Sequence, residues 1–98
     1  MGEAIYKMFR GRSTEAWHQL DAEEQDKLME KVQATLGAAG GKSVVICNSQ
    51  WASDKWMFFG VEEFPDMAAL HKHTELLSEL NWFRYIDSES LLGTEWPD

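Results

Sequence analysis

The stretch "KWMFFGVEEF" (residues 55–64) decides how this chain is read. Trp56, Phe58, Gly60 and Phe64 alternate with Met57, Phe59 and Val61, so a strand here is apolar on both faces. A half-solvated antiparallel strand alternates apolar with polar, whereas one apolar on both sides is buried on both sides. Helices of the same chain can cover one side. The simplest cover for the other is a second copy of the sheet in a two-fold homodimer.

The neighbours of this strand fall into place around it. Upstream, the β-branched run "KSVVICNSQW" (42–51) reads as a strand, and "ASD" (52–54) is a turn that makes the two a hairpin. "GAAGG" (37–41) ends a helical pattern that runs from Thr14 to about Ala39, in two pieces. Asp21 followed by Glu24 is a capping-box pair that starts the second piece, and Leu28, Met29, Val32 and Leu36 form its apolar face. The chain opens with a strand, "EAIYKMFR" (3–10), with Ile5 and Phe9 on one face and Ala4, Tyr6 and Met8 on the other; "GRST" (11–14) ends it.

Downstream, Pro65-Asp66 opens a helix to about Leu80. "NWFRYIDSES" (81–90) holds a last helical turn and a loop, and "SLLGTEW" (90–96) closes as a short strand. The order is β-α-β-β-α-β, the ferredoxin-like α+β arrangement of four antiparallel strands with helices on one face. At 98 residues it is one domain, 1–98.

Composition narrows the function. A net charge of −8, from nine Lys/Arg against seventeen Asp/Glu, lacks the basic face that nucleic acid or an anionic membrane surface requires. No apolar run approaches the roughly 20 residues of a membrane span. The lone cysteine, Cys47, rules out an internal disulfide and fits a reducing cytoplasm; within its β-branched strand it reads as buried and inert. Five tryptophans and five phenylalanines need a large apolar region, more than one small core supplies.

Two motifs invite over-reading. "GAAGGKS" (37–43) is not a phosphate loop: the required first glycine position holds Leu36, and the stretch follows a helix instead of preceding one. His71 and His73 in "ALHKHTELL" (69–77) are two residues apart, which on a helix sets them roughly 200° apart, so they cannot share a metal. With no other ligand spacing in the chain, no metal site is expected.

On the same wheel, Ala69, Leu70, Leu76, Leu77 and Leu80 form an apolar stripe with His73 near its centre, while His71 is solvated. His73 therefore faces the sheet, either as a satisfied core histidine or as a titratable group on a cavity between helix and sheet. Tyr6, Trp56, Phe58, Trp82 and Tyr85 can line such a cavity. Trp17 packs as a lid and His18 lies at the surface. One of Glu62 and Glu63 points inward near the helix start, as a dipole partner or a general base. Asn48 and Gln50 are polar positions in an apolar strand, either solvated or facing a ligand.

"FFGVEEFPDMAALHKHTELLSELNWF" (58–83) is similar to the stretch of dimeric α+β barrel proteins in which an aromatic strand runs into a helix reading x-A-L-x-x-H. The antibiotic-biosynthesis-monooxygenase-like branch carries this pattern, and Ala69-Leu70-His71-Lys72-His73 matches it with His73 in the family position. The resemblance implies a homodimer whose sheets face each other and a pocket in each subunit between sheet and helices. It admits cofactor-free oxygenases of aromatics, isomerases and cyclases, and haem proteins that use the helix histidine as axial ligand. The haem-degrading members carry an asparagine on the first strand. This chain has none there, which argues against haem degradation and leaves haem binding open.

The expectation is an enzyme without a cofactor, acting on a small apolar or aromatic molecule. His73 moves the proton, Tyr6 and Tyr85 orient the substrate, and Trp56, Phe58, Leu70, Leu77, Trp82 and Asn48 contact it. The alternatives are a haem protein with His73 as axial ligand, and a non-catalytic ligand-binding or assembly module.

Overall fold

The computed structural model describes residues 3–96. Its elements are strand β1 (Ile5–Ser13), helices α1 (Glu15–His18) and α2 (Ala22–Ala38), strands β2 (Lys42–Asn48) and β3 (Phe58–Phe64), helices α3 (Met67–Glu79) and α4 (Trp82–Tyr85), and strand β4 (Ile86–Gly93). The strands form one antiparallel sheet in the order β2-β3-β1-β4, with the helices on one face: the ferredoxin-like arrangement expected.

Phe64 fixes which face is which. It is fully buried and clusters with Ala69 and Leu70 of α3, with Ile5 and Leu36 packed against them. Because Ile5 pairs with Phe64, the alternation of both strands follows: Ile5, Lys7, Phe9 and Gly11 with Phe58, Gly60, Glu62 and Phe64 face the helices. Tyr6, Met8, Arg10 and Arg12 with Phe59, Val61 and Glu63 lie on the open face.

The caps stand where the sequence puts them. Asp21 and Glu24 exchange both capping-box hydrogen bonds, at 2.8 and 3.0 Å, and Asp66 caps α3 by accepting from the Ala69 N–H at 2.8 Å. Pro65 precedes that cap, outside the helix. Beyond α2, Gly40 takes the left-handed conformation at φ 86°, where a side chain is unfavourable.

Four boundaries differ from expectation. β1 continues three residues past Arg10, because Gly11 is paired on both sides, to Phe58 and to Ser88. β2 stops at Asn48 and β3 starts at Phe58, so Lys55, Trp56 and Met57 belong to a long loop. β4 starts at Ile86, directly after α4, four residues before the expected start. Cys47 is a free, half-buried thiol opposite Phe59 on the open face, not a buried one, since nothing among the described residues covers that face.

Candidate functional site

α3 presents its buried stripe, Ala69, Leu70, His73 and Leu77, towards the sheet. His73 is only 4% exposed, and its ring lies 5.5 Å from that of Phe64, tilted by 39°. Below it, Lys7 and Glu62 are cross-strand partners on the helix-facing side. The His73 Nδ1 is 4.0 Å from Glu62 Oε1, beyond hydrogen-bond range, and is buried with no hydrogen-bond partner among the described residues.

The electrostatics follow from burial. Removal from water, with a smaller contribution from the nearby Lys7 charge, lowers the His73 pKa from 6.5 to about 4. Burial also raises the Glu62 carboxyl above its ordinary value, with Lys7 opposing. At neutral pH His73 is therefore a neutral imidazole, and its approach to Glu62 is no ion pair. A buried polar nitrogen left without a partner costs about 1–3 kcal/mol, and among the described residues this is the one buried side-chain nitrogen or oxygen in that state.

On the same helix-facing side of the sheet, the space at two glycines is filled by neighbouring groups. A Cβ on Gly60 would meet the Val45 carbonyl oxygen at 2.6 Å and the Phe9 ring at 2.8 Å; one on Gly11 would meet the Phe58 ring at 2.5 Å. The Phe9 and Phe58 rings pack edge to face over these glycines, 6.2 Å apart. At their margin, Ile46, Asn48, Gln50 and Phe58 border a depression of about 340 Å³.

The structure brings only some of the expected residues together. Leu70 and Leu77 share the buried stripe with His73, Phe58 lies on the same face of the sheet, and Asn48 is exposed at its margin. Tyr6 does not join them: it lies on the open face, where its hydroxyl donates to Glu95 Oε1 at 3.2 Å, and partial desolvation and that bond raise its pKa. Trp56 lies on the open face as well, beneath Arg10 and Arg12. Trp82 stacks edge-on against Trp17, 6.4 Å away, in a separate cluster of α1 and α4, and Tyr85 ends α4 under the Arg84 guanidinium. His18 is exposed as expected, with its Nε2 2.9 Å from Ser13 Oγ. His71 is exposed. Among the described residues no three His, Cys, Asp or Glu side chains converge as for a metal ion.

Lys7 is the site residue that the sequence reading missed. Its signal was present: it sits between Ile5 and Phe9 on their apolar face, where a lysine has to be explained.

No protein-family model matches the chain, and no curated protein does. Solved structures do. A candidate chlorite dismutase, TA0507, superposes with a TM-score of 0.73 at 24% identity, over 96% of this chain and 46% of its own. The chain's fold is similar to that of a part of this protein. Arginine-to-lysine and arginine-to-glutamate variants of the enzyme from Candidatus Nitrospira defluvii each give a TM-score of 0.76 at 20% identity, over 99% of this chain and 42% of theirs. The chain spans less than half the length of these chlorite dismutases. The shared fold agrees with the α+β barrel resemblance of residues 58–83. Among the described residues no helix is long and apolar enough to cross a membrane.

Proposed function

We propose that this chain binds haem with His73 as the axial ligand. The observation that carries the proposal is the His73 imidazole: buried, held neutral, and turned so that its unpartnered Nδ1 faces the Glu62 carboxylate. Iron takes a neutral imidazole, and ligating histidines almost always point their other nitrogen at a carboxylate or carbonyl. With Nδ1 given to Glu62, Nε2 is the nitrogen left for iron. His73 and Glu62 are the residues that would hold the group, and the Phe9 and Phe58 rings, seated over Gly60 and Gly11 on the same side of the sheet, would supply apolar wall.

Within this reading each residue has a task. His73 would hold the iron. Glu62, now 4.0 Å from Nδ1, would accept from Nδ1–H if it came within hydrogen-bond range, fixing the ring and raising its basicity. The Lys7 charge opposes the rise that burial imposes on that carboxyl. Phe64, Leu70 and Leu77 anchor α3 so that the imidazole keeps its direction. Haem bound here would supply one-electron and oxygen chemistry.

The likeness to chlorite dismutases supports the haem reading over the cofactor-free one. A base with a pKa near 4 also abstracts protons poorly at neutral pH, and the expected partner Tyr6 lies across the sheet. The proposal includes a homodimer formed through the open sheet face, and a reducing cytoplasm on the strength of the lone free Cys47. Titration with haemin, followed by visible absorption, tests it. A sharp Soret shift at one equivalent, lost in His73→Ala and broadened or weakened about tenfold or more in Glu62→Gln, is expected. No shift in the wild type, or an unchanged one in His73→Ala, would overturn it.

A further inference from the structure

On the face of the sheet away from His73, three cations converge on one indole. The Arg10 and Arg12 guanidiniums lie 4.7 and 5.4 Å from the Trp56 ring centre, and the Lys55 ammonium lies 5.3 Å from it. Three of the chain's nine Lys/Arg thus meet at one side chain of a protein with a net charge of −8. Part of this is an ion-pair ladder: Arg10 meets Glu89 at 3.0 Å and Arg12 meets Asp87 at 3.5 Å, each directly across the β1–β4 pairing. Lys55 has no such explanation. It comes from the β2–β3 loop and has no carboxylate partner among the described residues.

Beside the indole lies a depression of about 580 Å³, a volume suited to a small molecule. Its apolar wall includes Met8, Phe59 and Leu91; its polar lining includes Arg10, still paired to Glu89, and the loop residues Ser49 and Ser53. Met8, Phe59 and Leu91 are each more than 40% exposed. The lining thus joins an apolar surface to a guanidinium and two hydroxyl groups.

From this arrangement we infer that the open face holds a second site, for a small aromatic monocarboxylate. The ring lies along Met8, Phe59 and Leu91, stacked near Trp56, and the carboxylate takes the two parallel N–H donors of Arg10, displacing Glu89. A single negative charge is specified by the surroundings. Glu89 and Asp87 leave the cluster of three cations with a surplus of one, and the acidic molecule repels polyanions at long range. The site requires the outer side of Met8, Phe59 and Leu91 to stay free, so it exists only where no partner side chain fills the depression, in the single chain or in a dimer that leaves it open. This site is independent of the haem reading.

The test uses the full chain and two probes of equal shape, 1-naphthoate and neutral 1-naphthalenemethanol, followed by the Trp56 indole N–H resonance in a ¹⁵N-labelled sample. The resonance is assigned with Trp56→Phe. Naphthoate is expected to shift it saturably and to bind at least tenfold more tightly than the alcohol. Arg10→Gln should weaken naphthoate at least tenfold, and Arg10→Lys should restore part of the loss. Glu89→Gln, which releases Arg10 from its pair, should tighten it. A structural role for the ladder predicts that Arg10→Gln and Glu89→Gln act alike. That result, equal binding of the two probes, or no shift because a partner's side chains fill the depression, would overturn the inference.

Discussion

His73 carries its burial as a pH liability whose sign is fixed. Its folded pKa is near 4 and its unfolded value near 6.5, so the folded state resists the proton that the unfolded chain accepts. The stability this gives is complete above pH 6.5 and is lost as pH falls towards 4. Between pH 7 and 5 the loss amounts to about 2 kcal/mol, or roughly 10 °C in Tm for a domain of this size. Glu62 works the other way: its raised pKa favours folding at low pH, and this offsets part of the loss. Thermal melts at pH 7 and 5 should therefore show a clear drop in the wild type, a larger one in Glu62→Gln and almost none in His73→Leu. A flat wild-type profile would show that His73 titrates normally and would remove the neutral imidazole from the haem argument. The position of His73 was legible in "ALHKHTELL", because helical spacing alone puts it in the apolar stripe and sends His71 to solvent. Its neutrality was legible only in part: burial, the larger cause, follows from the stripe, whereas the Lys7 charge comes beneath it only through the β1–β3 register.

Among the elements, β3 shows where local reading holds and where tertiary contacts override it. Its core, Phe58 to Phe64, was plain from the apolar alternation, but Trp56 and Met57 have equally strong strand preference and lie in the loop. Trp56 leaves the ladder to sit under three cations, and Met57 turns its sulfur to Ser13, whose N–H and hydroxyl each lie 3.2 Å away. Gly11 was read as a breaker, yet it continues β1, paired to Phe58 and Ser88, and the Phe58 ring occupies the space a side chain there would need. The sequence offers no sign of that contact, as the two residues are far apart in the chain. Gly60 sits in the same kind of contact, with the Val45 carbonyl, which cannot move aside, 2.6 Å from any added Cβ. Gly60→Ala should therefore cost about 2 kcal/mol through overpacking, read as a lower urea midpoint with an unchanged slope. A neutral or stabilising effect would mean that β2 and β3 separate more easily than their pairing implies.

At the scale of the molecule, the unanswered demand is the open face of the sheet. The helices bury Phe64, Leu70 and Leu77, but across the sheet Met8 is 51% exposed, Phe59 44% and Leu91 65%, with Val45 beside them. Monomeric proteins rarely leave so continuous an apolar strip in water, and the same strip was the sequence's reason for a second copy. Charge sets a condition on that assembly. Two copies each carrying −8 repel, and salt screens the repulsion over roughly 10 Å at 0.1 M. Apolar burial is not screened, so self-association through this face should strengthen as salt rises, whereas an interface held by Arg10–Glu89-type pairs would weaken. Sedimentation velocity at micromolar concentration should give a species near twice 11.3 kDa, with a dimer constant that tightens between low and moderate salt. Phe59→Glu, which sets like charges across the two-fold and leaves the helix-side core untouched, should give a monomer with an unchanged far-UV spectrum. If the wild type is monomeric at every salt concentration, or Phe59→Glu stays dimeric, the open face is not where two copies meet. The naphthoate site would then lie open to solvent.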